Sequence, residues 1–303
     1  MTDDVSTAQV ADIGIAYESF GKPSNPPVLL IMGFASQMLS WPDEFCMTLA
    51  ARGHYLIRFD NRDVGLSTHL YAAPQPDILA AFRGDFSSVA YRLTDMAADA
   101  AGLLDVIGVD SAHIVGVSMG GMIAQTLAIV YPERVRSLTS IMSTTGDPAV
   151  GQPSEAAMGA LLAPPATSRE EAIERNLAAY RVIASPGFPL DEERVREIAA
   201  RSYDRCYDPV GAGRQLVAVL ASGDRTQALR GVRVPTLVIH GAEDPLVHVS
   251  GGQATAAAIP GAELVVIEGM GHDLSPGLLL PLADRISALV TRAEAGAALG
   301  GAR

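Results

Sequence analysis

Three features of the sequence point to a doubly wound, mostly parallel α/β sheet carrying a helical cap inserted late in the sheet. Short runs of purely apolar residues alternate with segments of helical pattern. That alternation stops after about residue 147 and resumes near 229. The segment between them is patterned as helices and contains no run apolar enough for a buried strand. The expected division is therefore a core made of residues 1–147 and 229–303, with a cap over 148–228.

Residues 13–20 read as an extended strand, followed by the turn sequence Gly21-Lys22-Pro23-Ser24-Asn25-Pro26. The run Pro27-Val28-Leu29-Leu30-Ile31-Met32 suits a strand buried on both faces, as parallel sheets require. A helix over 42–51 and a strand over 54–59 come next. A helix over 93–107, a strand over 112–117, a helix over 119–131 closed by Pro132 and a strand over 134–142 extend the alternation. In the insert, residues 169–183 and 191–203 read as helices, separated by breaks such as Pro164-Pro165, Ser185-Pro186-Gly187 and Asp208-Pro209. Strands over 234–239 and 263–267, with helices over 248–258 and 276–292, complete the sheet, and the Ala/Gly-rich residues 294–303 are expected to fray.

The chain has 303 residues, of which 49% are apolar and only 5% aromatic, so its core must rest on Ala, Val, Leu, Ile and Met. The net charge is −12, from 34 acidic against 22 basic residues. Such a surface repels phosphate backbones and anionic lipid, which argues against nucleic acid and membrane partners and leaves a homodimer open. The acidic start Met1-Thr2-Asp3-Asp4 lacks an apolar signal region and no apolar run is long enough to span a bilayer, so a cytoplasmic location is expected. Cys46 and Cys206 are too few for a disulfide framework and are expected to be free, buried thiols. Lys22 is the sole lysine and sits in a turn, which argues against Schiff-base chemistry and P-loop NTPases. No H-E-x-x-H or C-x-x-C zinc spacing occurs.

The chemistry-bearing motif is Gly116-Val117-Ser118-Met119-Gly120-Gly121, a G-x-S-x-G between a buried strand and a helix. The nucleophile must stand on a strained strand-to-helix turn, and glycines two residues to either side remove Cβ atoms that would collide across it. A serine hydroxyl needs a base. Among six histidines, His272 in Glu268-Gly269-Met270-Gly271-His272 lies just past the last strand, at the sheet edge where open α/β sheets build their sites; His240 and His248 are the rivals. The orienting carboxylate should come from the same edge. Asp244, directly after the strand over 234–239, is the first candidate and Asp147 its rival. Two backbone donors must meet the developing oxyanion, and these are expected at Met119 and Phe34. Phe34, Met38, Trp41, Met119 and Met270 could line an apolar acyl pocket, roofed by cap residues such as Leu161, Leu162, Tyr180, Val217 and Leu220.

The order Ile31-Met32-Gly33-Phe34, Trp41-Pro42, Arg58-Phe59-Asp60-Asn61-Arg62-Asp63-Val64-Gly65-Leu66-Ser67, the G-x-S-x-G-G motif, the strand from Val234 to Ile239 and Gly269-Met270-Gly271-His272 resembles the α/β-hydrolase superfamily over almost the whole chain. Trp41-Pro42-Asp43-Glu44-Phe45 and Arg62-Asp63 resemble the branch containing aclacinomycin methylesterase. The resemblance implies Ser118, Asp244 and His272 as a triad, with the Phe34 and Met119 amides as oxyanion hole and no cofactor. Met32 stands where many relatives carry histidine, and Arg62-Asp63 where Arg-Gly is commoner; Asp60 and Arg62 are read as structural. Ser118 argues against the dehalogenase- and epoxide-hydrolase-like members, whose nucleophile is aspartate. The expected activity is hydrolysis of small to medium apolar carboxylic esters through an acyl-enzyme. A lactone, thioester or C–C bond substrate for the same residues is the alternative, and a non-catalytic ligand-binding homologue is the rival of another class.

Overall fold

A computed structural model describes residues 5–300; the acidic Met1-Thr2-Asp3-Asp4 and residues 301–303 of the Ala/Gly-rich tail lie outside the described residues. The first strands are β1 (Ser6–Val10), β2 (Ile13–Phe20) and β3 (Pro27–Ile31), followed by α1 (Asp43–Ala51), β4 (Tyr55–Phe59), α2 (Ile78–Phe82) and α3 (Leu93–Val106). β5 (Ala112–Val117), α4 (Met119–Val130) and β6 (Val135–Ile141) complete the first half. Helices α5 (Glu155–Leu161), α6 (Arg169–Ile183), α7 (Glu192–Arg205), α8 (Pro209–Ser222) and α9 (Thr226–Leu229) separate β6 from β7 (Thr236–Gly241). The chain ends with α10 (Ser250–Ala258), β8 (Glu263–Ile267) and α11 (Pro276–Gly300). The tail from residue 294, expected to fray, continues α11 as far as Gly300.

The eight strands form one sheet in the order β1-β2-β4-β3-β5-β6-β7-β8. From β4 to β8 every pairing is parallel, while β1 and β2 add an antiparallel edge. β1 is absent from the sequence reading because its residues, Ser-Thr-Ala-Gln-Val, are mostly exposed and carry no apolar alternation. β3 shows why the central strands are apolar throughout. Leu29 and Ile31 enter a core with α3 and α4, whereas Val28 and Leu30 enter a second core with α1 and α11 on the other face.

Chain order reverses between β3 and β5: β4 lies to one side of β3 and β5 to the other. The carboxyl ends of strands flanking such a switch point open onto a crevice. No helix among the described residues is long and apolar enough to cross a membrane.

Candidate active site

Ser118 stands at that switch point, immediately after β5, as the residue preceding α4. Its backbone lies at φ 55°, ψ −120°, a conformation an L-residue adopts only when its surroundings impose it. The glycines impose it by close approach. A Cβ on Gly116 would lie 2.1 Å from the Gly120 carbonyl oxygen, and one on Gly120 equally close to the Ile31 oxygen. Both neighbours are backbone and cannot turn aside, so Gly116→Ala is expected to cost about 1–3 kcal/mol or more. The check is a urea titration: an unchanged midpoint would show that the elbow tolerates a Cβ.

Ser118 Oγ lies 3.0 Å from His272 Nε2, and His272 Nδ1 lies 2.7 Å from Asp244 Oδ2. Because a carboxylate only accepts, Nδ1 carries the proton and Nε2 presents its lone pair to the serine hydroxyl. Asp244 follows β7 and is buried; its Oδ1 accepts the Leu246 and Val247 N–H groups at 2.9 and 2.8 Å. Burial by itself would raise this carboxyl. The attraction of the imidazolium that His272 becomes on protonation, the nearby His240 Nε2, the hydrogen bond from His272 and the Val247 amide outweigh it and hold the group well below the usual carboxylate range. Asp244 is thus an ionised, oriented acceptor at neutral pH.

The rivals are occupied elsewhere. His240 is fully buried and donates from Nε2 to the Val247 carbonyl, while its Nε2 lies 3.5 Å from Asp244 Oδ2. His248 is exposed and bonds to Ser250 within its own turn. Asp147 caps a turn by accepting the Ala149 N–H. Burial pushes the Cys46 thiol up to about 12 and, with the Asp208 charge, raises that of Cys206. Both cysteines are free, but Cys206 is only half-buried and reaches the cavity wall.

Gly33 brings the loop after β3 against Ser118, since a Cβ there would lie 3.2 Å from Ser118 Cβ. The Phe34 N–H, next to Gly33 in that loop, and the Met119 N–H, next to Ser118 in the chain, donate to no acceptor among the described residues. Asp60 and Arg62 serve structure: Asp60 accepts the Met38 and Leu66 amides and pairs with Arg205, and Arg62 pairs with Asp99.

Above Ser118 and His272 lies a cavity of about 650 Å³. Its wall differs from the one expected from the sequence. Met38, Trp41 and Met270 are fully buried and absent from the wall. Trp41 stacks on Phe45 at 5.5 Å and packs in the core beneath the sheet with Met270, and Met38 is tucked into a turn whose N–H Asp60 holds. The methionines that do reach the cavity are Met32, Met119, Met122 and Met142. From the cap, Leu161, Leu162 and Tyr180 line it as expected, but Leu216 and Val219 take the places assigned to Val217 and Leu220. A helix turns about 100° per residue, so an error of one position moves a side chain off the wall.

Sequence reasoning also missed the braces that the insert sends into the core. The His272 N–H donates to the Ile183 carbonyl at 2.7 Å, and the Gly271 N–H to Ser185 Oγ at 2.9 Å. Asp273 in turn accepts the Ser185 N–H at 2.9 Å. In the sequence the Ser-Pro-Gly break after α6 is legible only as a turn; the partners of Ser185 lie 86 and 88 residues away.

A strained serine elbow on a parallel sheet, hydrogen-bonded to a histidine that is itself held by a buried carboxylate, defines a hydrolase. The chain belongs to the α/β-hydrolase family and is of esterase type: the family profile described as alpha/beta hydrolase fold matches residues 26–276. It is similar to rhodomycin D methylesterase DauP of Streptomyces sp. (strain C5), at 34% identity over 292 residues that cover 89% of this chain and 93% of the relative. It is also similar to 3-oxoadipate enol-lactonase 2 of Acinetobacter baylyi, at 26% identity over 88% of each chain. Among solved structures, the esterase RhEst1 of Rhodococcus sp. ECU1013 has the same fold, with a TM-score of 0.72 at 20% identity, covering 95% of this chain and 98% of that one.

Proposed function

We propose that the protein hydrolyses carboxylic esters of a small alcohol, methyl esters above all, with the acyl part in the cavity. The observation that carries this reading is the unbroken chain of contacts from Ser118 Oγ through His272 to Asp244 at the floor of an apolar chamber. Ser118 Oγ attacks the carbonyl carbon while His272 Nε2 takes its proton, and the carbonyl oxygen becomes an oxyanion facing the Phe34 and Met119 amides. Collapse breaks the bond to the alcohol, which leaves with the proton from His272. Water then adds to the acyl-serine, giving its proton to His272, and the carboxylic acid departs as Ser118 regains its hydrogen. The methylesterase relative supports the choice of alcohol, and the chamber's volume supports an acyl group much larger than acetyl.

A panel of methyl esters with acids of increasing size tests this, alongside p-nitrophenyl acetate as a minimal substrate. kcat/KM is expected to rise with acyl size in graded steps, because one methylene is worth only about 1–3 kcal/mol in an apolar pocket. Ala179 lies on the cavity wall in α6, so Ala179→Phe is expected to shift the preference toward smaller acids. Acetate turnover should stay within about tenfold, roughly 1.4 kcal/mol of barrier. Loss of acetate turnover in a folded Ala179→Phe protein would sink the view that the cap wall selects acyl size. The enol-lactonase relative favours one second reading, a lactone opened by the same acyl-serine route. Lactones turned over faster than every methyl ester of the panel would establish it.

A further inference from the structure

We propose that Gln215, a residue of the helical insert, is a positioning residue that holds the oxyanion loop in its working shape. The inference rests on the ester-hydrolysis reading above. Residues 33–36 form a tight turn closed by the Ser36 N–H donating to the Gly33 carbonyl, and that bond is long, 3.3 Å. Gly33 O and Phe34 N share one peptide plane, so this bond also aims the Phe34 N–H. The third turn residue is Ala35, with φ 53°. Turns of this kind ordinarily place glycine or asparagine there, and an alanine holds the conformation only when something else over-determines it.

Gln215 supplies that determinant. Its Oε1 accepts the Ala35 N–H at 2.9 Å, across 180 residues of sequence, and its Nε2 donates to the Arg62 carbonyl at 2.8 Å. The side chain is fully buried, and both ends of its amide are engaged. Its helix cannot drift, because the adjacent Arg214 makes a bidentate pair with buried Asp63, both bonds at 2.8 Å. Ser36 Oγ, donating to Phe34 O at 3.1 Å, is the remaining local tie. The insert therefore reaches beyond roofing the cavity and sets the direction of an amide on the core.

The test is a double-mutant cycle between Gln215 and Ala35, run with Ser118→Ala as control. Gln215→Met keeps the side chain's length and removes both hydrogen bonds. Losing an oxyanion donor outright costs about 10²–10³ in kcat. Misaiming one is therefore expected to lower kcat for p-nitrophenyl acetate by roughly ten- to a hundredfold, with KM within about threefold. Ala35→Gly relieves the positive-φ strain, so the turn needs its brace less. In that background Gln215→Met is expected to lower kcat by no more than about threefold, a rescue that a merely structural glutamine would not show. If Gln215→Met does not fold, Gln215→Asn, which draws the acceptor back by one methylene, goes through the same cycle. An unchanged kcat, or an equal loss in both backgrounds, overturns this inference alone when Ser118→Ala is inactive. Activity surviving in Ser118→Ala overturns the ester-hydrolysis reading and this inference with it.

Discussion

Ser118→Ala is expected to lower kcat toward esters by about 10⁶, roughly 8 kcal/mol of barrier, with little change in KM. The size follows from what the hydroxyl does. In the proposed mechanism it forms the covalent bond, and without it the His272–Asp244 pair has no nucleophile to activate within the elbow. Residual rate over water would come from binding and from the two amides alone. The conformation of residue 118 is set by Gly116 and Gly120, so alanine should occupy the same φ, ψ and the protein should keep its melting temperature. An independent measurement uses a fluorophosphonate followed by peptide mass spectrometry. The adduct is expected on Ser118, and an adduct on any other serine would falsify the assignment.

Asp244→Asn is expected to lower kcat by about 10⁴ while Asp147→Asn stays within about twofold. The geometry says why an amide of the same shape fails. Leu246 and Val247 both point N–H groups at Oδ1, so asparagine must keep its carbonyl oxygen there. Its NH₂ then faces His272 Nδ1, at the position now occupied by Asp244 Oδ2. Two donors cannot share that contact, so the imidazole moves its proton to Nε2 and presents no lone pair to Ser118. Asp147 makes only local turn contacts. A loss at Asp147 and none at Asp244, measured on p-nitrophenyl acetate, would move the orienting acid to the β6 side of the sheet.

The part of the molecule built from local chemistry is legible in the sequence. Buried parallel strands announce themselves as apolar runs, and the G-x-S-x-G turn carries its own steric reason in Gly116 and Gly120. Strand ends followed by His272, Asp244 and Phe34 locate those residues at one edge of the sheet once the topology is parallel, and the distances of 3.0 and 2.7 Å join the first two to Ser118. The rest depends on how distant segments meet. β1 is held by its pairing with β2 and has no apolar signal of its own. Met38, Trp41 and Met270 fall in the core and Leu216 and Val219 on the cavity wall, because a side chain's facing depends on helix phase and loop path that composition does not encode. The braces Ser185 and Gln215 are polar residues in unremarkable surroundings whose partners lie 86 to 180 residues away. Hydrogen bonds over such separations come into being only when the insert closes on the sheet, so no window of sequence around either end contains them.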